Sequence, residues 1–161
     1  AELTGGNDAI LFGYGPVMLH EALVASDYLK KIGFGLKVIN MPWLNKIDND
    51  WLKELVKDQK RIFVLEDHSA IGGLGDRLLN SLVEIGEIVG PALSGKSQTS
   101  PRQVKEFTNF GLKEYPECGT PLEVLEFHQL DGKSLAQRIS GVKNIETAEA
   151  VKLKYTADAP Q

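Results

Sequence analysis

Glu66, Asp67 and His68 stand side by side, and carboxylates beside an imidazole are the groups from which general acid–base catalysis is assembled. Their adjacency argues against the simplest arrangement, because successive side chains on a strand leave opposite faces. The structural alternative is that the carboxylates accept hydrogen bonds from nearby backbone, or from the start of a following helix, and fix a turn. That alternative is the favoured one, since carboxylates in such settings often serve structure. Just downstream, Gly72-Gly73-Leu74-Gly75 resembles a phosphate-cradling loop, whose amides at a helix start attract anions. It matches neither G-x-G-x-x-G nor G-x-x-x-x-G-K-[ST], and Asp76 would repel a phosphate. Close packing of helix on strand is the simpler reason for these glycines. Glu66, Asp67, His68, Gly72, Gly73 and Gly75 thus form the candidate site, as an interface or an anion-binding turn.

The remaining reactive side chains do not assemble. His20, His68 and His128 fall in three different elements, with no second His or Cys at metal-ligand spacing, so a zinc site is not expected. Cys118 lies in a Pro/Gly turn with no motif for a nucleophile pair around it. No catalytic, cofactor or metal residues are assigned.

The elements that must position Glu66 to Gly75 follow from hydrophobic pattern. Arg61 opens an apolar run, Ile62-Phe63-Val64-Leu65, of the kind buried in a parallel sheet. The strand is expected to break at Glu66. A helix then carries Leu74, Leu78, Leu79, Leu82 and Val83 at helical spacing. Upstream, Ala1 to Leu3 reads as the end of a strand turned by Thr4 to Asp8 in a tight hairpin, and Ala9 to Phe12 as the first full strand. Pro16 suits the first turn of a helix bearing Met18, Leu19, Ala22, Leu23, Ala25, Leu29 and Ile32, ended by Gly33 and Gly35. Leu36 to Met41 is the next strand. Asp48 is a candidate N-cap for a helix bearing Trp51, Leu52, Leu55 and Val56. This β-α-β-α-β-α order predicts a parallel sheet with helices on both faces. Residues 90–103 read as a long surface loop, with a last strand between Val104 and Leu112. Thr120-Pro121-Leu122-Glu123 has the form of a capping box for a helix to His128, and Asp131 can cap a final one through Ile139. Residues 1–142 form the expected domain, and 143–161 a polar tail.

Composition narrows the function classes. The chain has 161 residues, 42% of them hydrophobic and 25% charged, as an ordinary globular domain does. A net charge of −4 with scattered Lys and Arg excludes a nucleic-acid surface by bulk charge. No apolar run nears the ~20 residues of a membrane span. A single cysteine and the absence of a recognisable signal peptide point to a reduced, cytoplasmic setting. The first residue is Ala rather than Met, which suggests a processed or excised piece.

Taken in order, the motifs resemble the C-terminal domain shared by transketolases, 1-deoxyxylulose-5-phosphate synthases and the beta subunits of 2-oxo-acid dehydrogenases. The resemblance rests on Asn7 to Gly15, on Glu21-Ala22-Leu23-Val24-Ala25, on Val38-Ile39-Asn40-Met41 and on Ile47-Asp48. It continues in Glu66-Asp67-His68 with Gly72-Gly73-Leu74-Gly75, and in Gly119-Thr120-Pro121 and Leu130-Asp131-Gly132. It covers residues 2 to 142. Lys46 departs from it, standing where a proline often precedes the I-D pair, and the 90–103 loop is longer than usual.

The resemblance implies a three-layer α/β/α domain around a mixed five-stranded sheet whose first, hairpin strand is antiparallel. It implies a parent enzyme that uses thiamine diphosphate and magnesium, bound between pyrophosphate-binding and pyrimidine-binding domains outside this chain. The domain itself would bind no cofactor. Its expected partners are those domains, in the same enzyme or a companion subunit, and a second copy in a homodimer, with no nucleic acid and no membrane. Transketolase and its deoxyxylulose-phosphate relatives stand first and the dehydrogenase beta subunit second. An independent small-anion or nucleotide-binding module is the alternative from another class. A domain of this kind should show an apolar patch larger than a monomer usually exposes, or a dimer that covers it.

Overall fold

The computed structural model describes residues 1–88 and 105–145. In chain order the elements are β1 (Glu2–Thr4), β2 (Ala9–Gly13), α1 (Pro16–Lys31), β3 (Leu36–Asn40), α2 (Asn49–Val56), β4 (Arg61–Ser69), α3 (Leu74–Glu84), β5 (Glu106–Leu112), α4 (Pro121–Phe127) and α5 (Gly132–Ser140). The strands form one five-stranded sheet in the order β1-β3-β2-β4-β5. β1 is antiparallel to β3, and the other neighbours are parallel. The expected mixed sheet is therefore present.

Alternation along the strands divides the core into two halves. Ala9 and Leu11 of β2, Val38 of β3 and Phe63 and Leu65 of β4 pack under α1 and α5. Ile10 and Phe12, Ile39, Ile62 and Val64 point the other way, onto α2 and α3. Both sheet faces are thus buried, which is why these strands read as continuous apolar runs. Burial of each large aliphatic side chain contributes about 1.5–3 kcal/mol. α1 presents Met18, Ala22, Ala25 and Leu29 to the sheet, while Leu23, assigned to the same stripe, is exposed. α5 crosses α1 closely: a Cβ on Gly132 would lie 2.5 Å from Val24 Cγ1. The Gly132 amide also donates to the Glu21 carboxylate at 2.6 Å. The caps read from sequence are formed. Asp48 accepts from the Trp51 amide at 2.9 Å and Asp131 from the Ser134 amide at 3.0 Å, and Glu123 accepts from the Thr120 amide at 2.8 Å.

Two expectations change. Thr4 to Asp8 makes no hairpin, because β1 pairs with β3 and not with β2. Thr4 Oγ1 donates to the Leu36 carbonyl at 2.8 Å and accepts from the Val38 amide at 3.0 Å. The Asp8 carboxylate accepts from the Gly35 amide at 2.7 Å. The segment thereby crosses the start of β3, so tightly that a Cβ on Gly6 would lie 2.4 Å from the Gly35 carbonyl carbon. The second change is that β4 does not break at Glu66. It continues to Ser69 through a register shift against β5, with Ser69 opposite Leu112 and the Ala70 amide donating to the Leu112 carbonyl at 3.1 Å. Past residue 142, Ile145 is fully buried in the cluster under α1 and α5. Residues 90–103 and the rest of the tail lie outside the described residues. Among the described residues no helix is long and apolar enough to cross a membrane.

Candidate functional site

Glu66 is the last buried residue of β4 and is fully inaccessible to solvent. A buried carboxylate is costly unless its oxygens find donors, and here both do. Oε2 accepts from the Leu74 amide at 2.7 Å, and Oε1 from the Gly75 amide at 3.0 Å and from Asn109 Nδ2 at 2.7 Å. The first two donors belong to the first turn of α3, whose amides lack intrahelical partners and whose dipole favours a negative charge. Glu66 is therefore the cap that a β-strand supplies to the next helix. Asn109 joins β5 to the same point, and its second amide hydrogen reaches the Ala70 carbonyl at 2.9 Å.

The glycines make room for this contact. A Cβ on Gly73 would fall 1.8 Å from Glu66 Oε2 and 2.5 Å from His68 Cε1. One on Gly75 would fall 2.1 Å from Asn109 Nδ2 and 2.9 Å from Glu66 Oε1. Gly72 is required for a different reason, a φ of +83°. Its amide donates to the Asp76 carboxylate at 2.6 Å. The amides of Gly72, Leu74 and Gly75, which would greet an exogenous anion, are thus engaged by carboxylates of the chain itself.

Asp67 and His68 lie on the exposed continuation of β4. His68 Nδ1 is 2.7 Å from the Ser69 carbonyl oxygen; since a carbonyl only accepts, that nitrogen carries a proton. Nε2 stands 3.5 Å from Glu66 Oε2. Tyr14, just past β2, brings its ring centroid to 6.2 Å from that of His68. The Tyr14 hydroxyl is buried without a hydrogen-bond partner. Burial first, then the Asp67 and Glu66 charges, push its pKa up to about 12.

Of the six candidate residues, the structure brings Glu66, His68, Gly73 and Gly75 into direct proximity. Gly72 and Asp67 flank them. The other histidines stay apart: His20 is exposed, and His128 Nε2 accepts from the Glu117 amide at 3.4 Å. Cys118 is exposed and free. Sequence reasoning missed Asn109 and Tyr14. A polar Asn inside the last expected strand was the one available signal for the first, and the position after Gly13 for the second.

Known proteins resemble this chain. The family model described as "Transketolase, C-terminal domain" matches residues 1–135. Rat transketolase is 28% identical over 127 residues, which cover 78% of this chain and 18% of the rat protein. A protein of Methanocaldococcus jannaschii described as a transketolase C-terminal section is 29% identical over 138 residues, covering 85% of this chain and 37% of that one. A solved split-gene transketolase, described as an inactive beta4 tetramer, superposes with a TM-score of 0.69 at 23% identity, over 88% of this chain and 41% of that one. This chain therefore spans less than half the length of each of these relatives. It belongs to the transketolase C-terminal domain family.

Proposed function

We propose that this chain is the accessory C-terminal domain of a thiamine-diphosphate-dependent, transketolase-like enzyme that transfers a two-carbon ketol unit. Its part is to hold neighbouring domains and the dimer together, not to carry the chemistry. The observation that supports this best is the state of Glu66. The most reactive-looking carboxylate of the chain is sealed from solvent and hydrogen-bonded to the start of α3 and to β5. A group so engaged is a structural cap, and no substrate can reach it.

Two observations on the described residues support placing the parent enzyme's cofactor outside this chain. Among them no group of three or more His, Cys, Asp or Glu could hold a magnesium ion. The amides best placed to meet a diphosphate are already engaged. In this reading the chemistry of thiamine diphosphate falls to the other domains. The turn after β4 is then an interface. Asp67 and His68 offer it polar contacts, and Ile71, 83% exposed beside Gly72, an apolar one.

Two measurements made together test this. Isothermal titration of the 161-residue chain with thiamine diphosphate and magnesium should show no binding. The longest protein its gene encodes, alone or with its companion subunit, should transfer a ketol unit. Tight binding by this chain alone, or a long form with no ketol transfer, overturns the proposal.

A further inference from the structure

Both tryptophans of the chain are exposed, Trp43 to 69% and Trp51 to 40%, and both line one groove of about 460 Å³. Ala1, Asn40, Met41, Pro42, Lys46 and Asp48 line the rest of it. Tryptophans are rarely left in water without a partner, and they are enriched where surfaces meet.

The register of β1 shows what arrives there. β1 runs antiparallel to β3 with Glu2 opposite Ile39. The pairing extends one residue further: the Ala1 nitrogen donates to the Asn40 carbonyl and the Asn40 amide to the Ala1 carbonyl, both at 2.8 Å. Continued backwards past Ala1, an extended backbone would run alongside Met41, Pro42 and Trp43. The ladder itself stops there, because Pro42 has no amide to donate and the Met41 amide is taken by the Gly13 carbonyl at 2.8 Å. What holds an incoming segment beyond that point is side-chain burial.

We propose that this groove seats the polypeptide that precedes Ala1 in a longer form of the enzyme. The occupant is a short extended segment with apolar side chains, packed between Trp43 and Trp51, that fixes how the preceding domain joins this one. The inference rests on the accessory-domain reading above and adds the surface through which the join is made.

Hydroxyl-radical footprinting with peptide-level mass spectrometry tests it, comparing the 161-residue chain with the longest protein its gene encodes. Oxidation of Trp43 and Trp51 should be strong in the former and largely lost in the latter. A synthetic peptide of the residues encoded immediately upstream of Ala1, added to the 161-residue chain, should protect both saturably. Equal oxidation in the two forms overturns the proposal, as does a gene with no upstream residues. Protection that appears in the short chain alone as its concentration rises would assign the groove to a second copy and overturn it too. Ketol transfer by the long form is scored separately, so a failure of the accessory-domain reading is distinguishable from a failure of this one.

Discussion

Glu66 Oε2 lies 2.7 Å from the amide nitrogen of Leu74, so the last buried residue of β4 is also the cap of α3. One side chain thereby fixes the angle between a strand and the helix that follows it, and through Asn109 it fixes the neighbouring strand as well.

Glu66→Gln keeps one acceptor oxygen but turns an NH2 group toward a donor. It is expected to destabilise the domain by about 1–3 kcal/mol, and Glu66→Ala, which leaves the buried donors unpaired, by at least as much. Urea unfolding of each variant measures this. Midpoints unchanged from the parent chain would show that the cap contributes nothing.

Gly73→Ala places its new carbon where Glu66 Oε2 now stands, at 1.8 Å. A loss of about 1–3 kcal/mol is expected from the forced shift, with Gly73→Val worse. Because the clash is with the Glu66 side chain, Gly73→Ala should cost less in a Glu66→Ala background. A double-mutant cycle reads that coupling. Strict additivity would mean that the glycine serves some other contact.

Lys105 Nζ donates to the Lys57 and Gln59 carbonyls, each at 3.0 Å, and to the Val56 carbonyl, and pairs with Glu87 at 3.1 Å. It thus ties the end of α2 to the start of β5. Hydrogen bonds from a charged donor are worth about 1.5–3 kcal/mol, so Lys105→Met should lower stability by an amount of that order. A melting temperature within error of the parent chain would refute the assignment.

Tyr14 sets an alkaline limit. Its folded pKa, raised to about 12 by burial and the Asp67 and Glu66 charges, exceeds the ordinary 10.0. The protonated phenol is therefore favoured by folding. That contribution is fully present below pH 10 and is lost as pH rises toward 12. Of the four tyrosines, one should ionise last when followed by phenolate absorbance, and Tyr14→Phe should remove that phase. A late phase that persists in the variant would place it on another residue.

What the sequence made legible was local. Asp48, the Thr120 and Glu123 pair and Asp131 cap helices three residues away, and such spacings can be read directly. The continuous apolar runs that strands buried on both faces require were legible for the same reason. Gly73 and Gly75 announced a close approach, but the element approaching them is the side chain of Glu66, with Asn109 at Gly75. Asn109 lies 43 residues from Glu66, and Lys105 lies 48 from Lys57. No periodicity links such pairs. β1 was misplaced on the same ground: Gly5 and Gly6 suggest a two-strand turn, whereas Thr4 and Asp8 bind the start of β3.

Under the proposed function the polar turn after β4 supports assembly and takes no part in the reaction. The most direct test of this is the turnover number of the longest enzyme its gene encodes, saturated with thiamine diphosphate and magnesium and carrying Asp67→Asn with His68→Asn. Per assembled enzyme, kcat should stay within about twofold of the parent. A fall of about a hundredfold or more, the scale of a lost general acid or base, would place this turn in the active site and contradict the account.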